Sequence, residues 1–309
     1  MGTWHRIPCL KESLNLKATL SGGQSFRWRE SNNGEWTGVV GKFVLKVRWG
    51  QDKGNGQTHL EFCALGGKAA KITASELQSR ISSYFRLDTN LEKLYEQWAN
   101  CDPNFKVKAT RSDLKGIRIL NQERVENIFS FICSSNNNIA RISSMVENLC
   151  MLFGQEICTI DSKKYYSFPE VKDLVKPNIE VKLRKVGFGY RAPFVIGTAK
   201  KIIEQGGEDW LLKLSEMDYA NTKQELMSLP GIGAKVADCI CLMSFGHLQA
   251  VPVDTHVYQI AVASYTPHLA GRKSQDGLTR YYFALIFDHF KRQKKEKKNP
   301  NKPTRKERN

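Results

Sequence analysis

The sequence predicts an α+β fold: an N-terminal α+β module built on an antiparallel β-sheet over residues 1–115, an all-α module over residues 116–290, and a disordered basic tail over 291–309. Three observations carry this. Up to about residue 70, short runs rich in Val, Phe and Trp alternate with turn residues. Beyond about Glu123 that strand signal disappears and apolar residues recur at the 3.6-residue helical period. The final stretch is almost wholly Lys, Arg, Asn and Pro, which cannot bury enough surface to fold.

In order, Gln24–Trp28, Glu35–Val40, Lys42–Trp49 and Thr58–Leu65 read as strands, with Asn32-Asn33-Gly34 and residues 50–57 as turns. Helices follow at Ser75–Phe85, where Leu77, Ile81 and Phe85 keep helical spacing, and at Leu91–Ala99. The module boundary falls near 110–122. Ile139, Ile142, Val146, Leu149 and Phe153 then make an apolar stripe. Further helices fit Arg191–Glu204, Asp218–Ser228, Ala234–Phe245, Thr255–Ser264 and Leu278–Phe290.

The net charge of +16 favours a polyanionic partner. Residues 291–309 hold ten Lys or Arg against Glu296 and Glu307, so half the excess sits in the tail and half in the folded part. The tail reads as a nuclear localisation signal, a nonspecific DNA contact or a solvated charged end. Eight cysteines (Cys9, Cys63, Cys101, Cys133, Cys150, Cys158, Cys239 and Cys241) form no CxxC pair and follow no secretory leader, so buried free thiols in a reducing compartment are expected. No apolar run reaches the ~18 residues of a membrane span, and a soluble intracellular protein is expected.

The stretch from Leu229 to Tyr258 holds the densest chemistry. In LPGIGAK, Pro230 closes one helix and Gly231 and Gly233 permit positive φ in a tight turn before a second helix. Such a hairpin, over residues 224–246, presents backbone N–H groups at a helix start, where a phosphate can dock. Lys235 lies in the first turn of that second helix. A lysine is a nucleophile only as the free amine, and the locally positive start of a helix disfavours the ammonium form. The plainer reading is a surface lysine on a DNA clamp. Asp254, in VPVDTH, could stabilise positive charge developing on a sugar or take a proton. It could equally cap the helix starting at Thr255, and both roles are compatible. His256 faces either a phosphate or solvent. The stretch resembles the helix-hairpin-helix and Gly/Pro-Asp motif of base-excision DNA glycosylases. In that superfamily a hairpin lysine with the aspartate marks a glycosylase that is also a lyase.

Two further strings sharpen the resemblance. FSFICSSNNNIAR (Phe129–Arg141) carries three asparagines that would ordinarily just cap a helix, and GFGYRAPF (Gly187–Phe194) carries a Tyr-Arg pair that alone means little. SGGQSFRWRE (Ser21–Glu30) would pass for a glycine turn before a strand. Together with the hairpin, and in this order, they are similar to 8-oxoguanine DNA glycosylases. That resemblance implies that Asn136 fills the gap left by a flipped nucleotide, that Tyr190 wedges into the stack, and that Arg141 and Arg191 hydrogen-bond the orphaned cytosine. It also implies that the Gly23 carbonyl accepts from the N7–H that 8-oxoguanine has and guanine lacks, and that Cys239 and Pro252 line the base pocket. A group left unpaired in a dry site is a strong discriminator.

After Ser264 the pattern departs. The family ends its fold with a GPYAGWAQ-like string and a later phenylalanine, whereas this chain offers GLTRYYFALIFDHF. Either Phe287 supplies the stacking ring, or the family's glutamine and phenylalanine have no counterpart. The chain is expected to be a monomeric, nuclear 8-oxoguanine glycosylase and lyase acting on duplex DNA opposite cytosine, with no metal or cofactor and a mitochondrial form left open. The alternative is a damage- or abasic-site-binding protein with weak or absent base excision.

Overall fold

The computed structural model describes residues 2–51, 57–66 and 72–265. Among them the chain forms two compact units, residues 1–89 with 116–251 and residues 90–115 with the stretch from Pro252 onward. The predicted helix Leu278–Phe290 and the tail lie outside the described residues.

The first unit opens with strand β1 (His5–Pro8) and helix α1 (Leu16–Ser21), followed by β2 (Arg29–Glu30), β3 (Trp36–Val40), β4 (Phe43–Gln51) and β5 (Thr58–Leu65). They make one antiparallel sheet in the order β1-β5-β4-β3-β2, in which Val47 opposes Phe62 and Val39 opposes Val44. Helix α2 (Ala74–Phe85) covers one face. It begins at a capping box in which Thr73 Oγ1 accepts from the Glu76 amide and the Glu76 carboxylate accepts from the Thr73 amide. Leu77, Ile81 and Phe85 face Trp28, Leu60 and Phe62 in a sheet core that the strand pattern anticipates.

Gln24–Trp28 is not a strand. Its side chains are spent elsewhere: the Gln24 amide donates to the Arg118 carbonyl and accepts from the Leu120 amide, while Phe26 enters the helical core and Trp28 the sheet core. Between them Arg27 is fully enclosed, paired at 3.2 Å with Glu126 and donating to the Tyr166 carbonyl. Burial pushes the Glu126 carboxyl up, and Arg27 only partly offsets it. The segment therefore crosses between two cores instead of lying beside a neighbour. Helix α1, within the region expected to be sheet, is capped by Asn15, whose side chain accepts from Ala18 N.

The helical part of this unit is α5 (Arg124–Ile132), α6 (Ile139–Phe153), α7 (Ile179–Lys185), α8 (Ala192–Glu204), α9 (Glu208–Leu214), α10 (Tyr219–Met227) and α11 (Ala234–Ser244), around a core that includes Phe129, Val146, Leu149, Val195 and Ile240. The second unit holds α3 (Leu91–Cys101), α4 (Pro103–Ala109) and α12 (Thr255–Ser264). There Asn104 Nδ2 donates to the Ser264 carbonyl and the Tyr265 hydroxyl to Asp102, and Tyr95, Trp98 and Phe105 form an aromatic cluster. The helical part is not wholly α. Strands β6 (Glu156–Ile160) and β7 (Lys163–Tyr166) form a hairpin whose turn, Asp161-Ser162, has φ of 47° and 64°. Without the glycine that usually marks such a turn, and with lysines on the strands, the sequence hides it. Cys63, Cys133, Cys150, Cys239 and Cys241 are buried thiols as expected, but Cys9, Cys101 and Cys158 are only half-buried. Among the described residues no helix is long and apolar enough to cross a membrane.

The tightest approach in the sheet is Gly38 against Trp28: a Cβ at residue 38 would stand 2.3 Å from the indole, which is itself fixed by Nε1 donating to the Tyr84 hydroxyl at 2.9 Å. Gly38→Ala is expected to lower unfolding free energy by roughly 1–3 kcal/mol, as overpacked cores do. A urea midpoint equal to wild type would contradict this packing.

Candidate DNA-binding and catalytic site

Helix α8 connects the features singled out in the sequence. At its start the Tyr190 hydroxyl donates to the Ser135 carbonyl at 3.1 Å, and Arg191 Nη2 donates to the carbonyls of Ser135 and of Asn136, the latter at 3.2 Å. The Arg191 guanidinium lies over the Tyr190 ring, 4.4 Å from its centroid. These bonds hold the loop before α6 in a shape that places Asn136 at φ 46°, a conformation asparagine tolerates better than most residues.

The three asparagines divide their work. Asn138 caps α6 by accepting from Arg141 N at 3.0 Å, and Asn137 Nδ2 donates to the Cys133 carbonyl at 2.9 Å. Asn136 is exposed, beside a Tyr190 ring that is 51% exposed. Arg141 is exposed too, with Nη2 3.3 Å from the Gly187 carbonyl. Arg191 differs from the expectation of a free base reader. It is 2% exposed and committed to the loop, with Nε buried and unpartnered. Gly23 sits at φ 81° against the Ile139 side chain, so the glycine string and the asparagine loop adjoin.

One turn along α8, Phe194 meets Tyr190 edge-on at 6.3 Å and backs the glycine hairpin. Gly231 has φ 81°, and a Cβ there would stand 2.8 Å from Phe194, so both backbone and space demand glycine. Thr198, buried on the same helix, donates to the Pro230 carbonyl at 2.7 Å. Gly233 departs from expectation. Its φ of −89° is ordinary extended backbone, and a Cβ would meet nothing within 4 Å. It caps α11 with no side-chain acceptor, so the first-turn amides keep their capacity for an anion. Lys235 follows, half-buried in the first turn, and Cys239 lies one turn later, 3% exposed.

Asp254, Pro252 and His256 belong to the second unit. Asp254 caps α12, accepting from Val257 N at 2.9 Å, as the plainer reading of this residue predicts. His256 is exposed in the first turn of α12, and Phe287 lies outside the described residues. A cavity of about 470 Å³ lined by Lys42, Arg80, Glu123 and Glu126 contains none of the predicted site residues. The sequence gives little sign of one buried group near the site, Asp238 on α11, which pairs with Lys223 and Tyr219 of α10. The available signal was a single acid in an otherwise apolar helix, facing a Tyr and a Lys four residues apart.

A glycine turn joining α10 to α11, with an uncapped helix start and a lysine in its first turn, defines a helix-hairpin-helix protein of the DNA-repair type. Comparison with known proteins bears this out. Residues 6–128 match the N-terminal domain of 8-oxoguanine DNA glycosylase, and residues 129–270 match the HhH-GPD superfamily of base excision DNA repair proteins. The chain is 40% identical to an N-glycosylase/DNA lyase of Saccharomyces cerevisiae, over 82% of this chain and 69% of that protein. It is 34% identical to N-glycosylase/DNA lyase OGG1 of Arabidopsis thaliana, over 87% and 71% respectively. The Clostridium acetobutylicum 8-oxoguanine glycosylase/lyase, solved with duplex DNA carrying cytosine opposite 8-oxoguanine, superposes with a TM-score of 0.73 at 28% identity, covering 87% of this chain and 85% of that one. The chain belongs to the 8-oxoguanine DNA glycosylase family.

Gly231→Ala is expected to weaken binding to any duplex while Gly233→Ala leaves stability within about 0.5 kcal/mol of wild type, since only the first meets a clash and a positive φ. Fluorescence anisotropy with labelled duplex and a denaturation curve for each variant check the contrast.

Proposed function

We propose that this chain is a base-excision glycosylase and lyase that removes 8-oxoguanine paired with cytosine from duplex DNA. Membership in the family supports the enzyme over a damage-binding protein without turnover. The observation that carries the chemistry is Lys235, half-buried in the first turn of a helix whose capping residue offers no side-chain acceptor.

The amine of Lys235 attacks the sugar C1′ and the C1′–N9 bond breaks, with the electron pair leaving on the base, which takes up a proton. Loss of one amine proton and opening of the ring, with O4′ taking up a proton, leave a protonated Schiff base. Abstraction of a C2′ proton then expels the 3′ phosphate and nicks the strand. The Asp254 carboxylate stabilises the positive charge that builds on the sugar and helps move the amine proton.

The asparagine loop and wedge keep the helix open. Tyr190 enters the stack and Asn136 fills the vacated space, recovering part of the few kcal/mol lost on flipping. Arg141 is the exposed guanidinium for the orphaned cytosine. Arg191 fixes the loop that carries Asn136 through the Ser135 and Asn136 carbonyls. The Gly23 carbonyl accepts the lesion's N7–H, with Cys239 and Pro252 lining the pocket. Backbone amides at Gly231 and Gly233, with His256, hold phosphates. The chain acts as a monomer in the nucleus, with no metal or cofactor, since the amine performs the covalent step.

Asp254→Asn separates the two roles of that residue, because asparagine caps a helix about as well as aspartate. It is expected to keep the wild-type melting temperature and to slow release of 8-oxoguanine by roughly 10²-fold, the scale of losing one aligned electrostatic group. Lys235→Gln is expected to abolish both base release and nicking. Chromatography of the freed base and gel analysis of the strand, on 8-oxoguanine·cytosine and guanine·cytosine duplexes, read both. Wild-type release by Lys235→Gln would remove the lysine mechanism, and equal cutting of undamaged DNA would remove the substrate.

A further inference from the structure

The hairpin holds a charge that the chemistry above leaves unused. Asp238 lies on α11 three residues after Lys235 and is 5% exposed. Its Oδ1 accepts from the Tyr219 hydroxyl at 2.5 Å and pairs with the Lys223 ammonium. Lys223 Nζ also donates to the Tyr219 oxygen at 2.9 Å, closing a three-membered network. Tyr219 and Lys223 stand four residues apart on α10 and so project from one face of it. The residue between them on the next turn, Thr222, is tied at both sides, donating to the Leu214 carbonyl and meeting His247 Nε2 at 3.0 Å.

Besides this network, hydrogen bonds from Gln122 N to the Met243 carbonyl and from Arg86 Nη2 to the Leu242 carbonyl act only near the far end of α11, while its first two turns are held by apolar packing through Val236 and Ile240. Such contacts resist separation of helices but define rotation weakly, whereas a buried hydrogen-bonded ion pair is directional and breaks at high cost. The network joins α11 one turn from the lysine. A lysine amine sits roughly 6 Å from its helix axis, so a rotation of about 10° carries it about 1 Å. A displacement of that size costs a reaction on the order of a hundredfold.

We infer that Asp238, Lys223 and Tyr219 are positioning residues: they set the rotation of α11 and so deliver the Lys235 amine to the sugar. The inference rests on Lys235 being the nucleophile.

The test is single-turnover borohydride trapping by the full chain on a preformed abasic site opposite cytosine, at saturating protein. It is run beside the Kd for a tetrahydrofuran-containing duplex and the thermal midpoint. Lys223→Met is expected to slow trapping by roughly ten- to a hundredfold with Kd within about twofold of wild type, and Lys223→Arg to restore most of the rate. Tyr219→Phe, which removes one hydroxyl and no charge, is expected to slow trapping several-fold at unchanged Kd, and it carries the test if Lys223→Met does not fold. Wild-type rates in folded Lys223→Met or Tyr219→Phe would overturn the inference. So would a loss of rate matched by an equal loss of affinity, which marks a purely structural role. Lys235→Gln runs alongside: trapping that survives it overturns the nucleophile, and this inference with it, and is told apart from the first failure by the Lys235 control alone.

Discussion

Helix α8 and its contacts are the constraint on which the rest of the first unit's site depends. At one end Tyr190 and Arg191 hold the Ser135 and Asn136 carbonyls, which forces Asn136 into the left-handed region and out toward solvent. A turn later Phe194 occupies the space that a side chain on Gly231 would need, and Thr198 secures the Pro230 carbonyl. A helix is stiff over this length, so the loop that would enter DNA and the hairpin that would hold its phosphate are set at a fixed separation. The arginine that serves as a clamp cannot also be freely mobile, which divides labour between it and the exposed Arg141.

Much of this was legible in the residues, for identifiable reasons. Asp218 and Asp254 announce helix starts because short polar side chains satisfy the amides no helix can pair internally. The strands from Trp36 to Leu65 were visible because one face is buried. The failures come from long-range contacts and from local backbone choices that residue type does not dictate. Gln24–Trp28 looks like a strand by composition, but its glutamine and arginine are engaged by groups about a hundred residues away. Asp161-Ser162 turns without glycine, and Gly233, which looked like a second positive-φ position, is extended. Asp238 was invisible because an acid in an apolar helix is explained only by the partners folding brings to it.

The polar groups around the hairpin show how a half-buried lysine is housed in a chain packed mostly through apolar side chains. Helix α11 is buried on nearly every side from Val236 onward, which gives rigidity, while its first turn stays open. Directional bonds at Thr198–Pro230 and Tyr219–Asp238–Lys223 add orientation to helices that otherwise pack mainly through apolar side chains.

The proposed mechanism stands on one amine, that of Lys235, forming the covalent link to DNA. Its most direct measurement is peptide mapping by mass spectrometry of the borohydride-reduced adduct formed on an 8-oxoguanine·cytosine duplex. The reduced sugar remnant is expected on the peptide containing Lys235 and on no other. A remnant on Lys223, on the N-terminal amine or on any other lysine would contradict it.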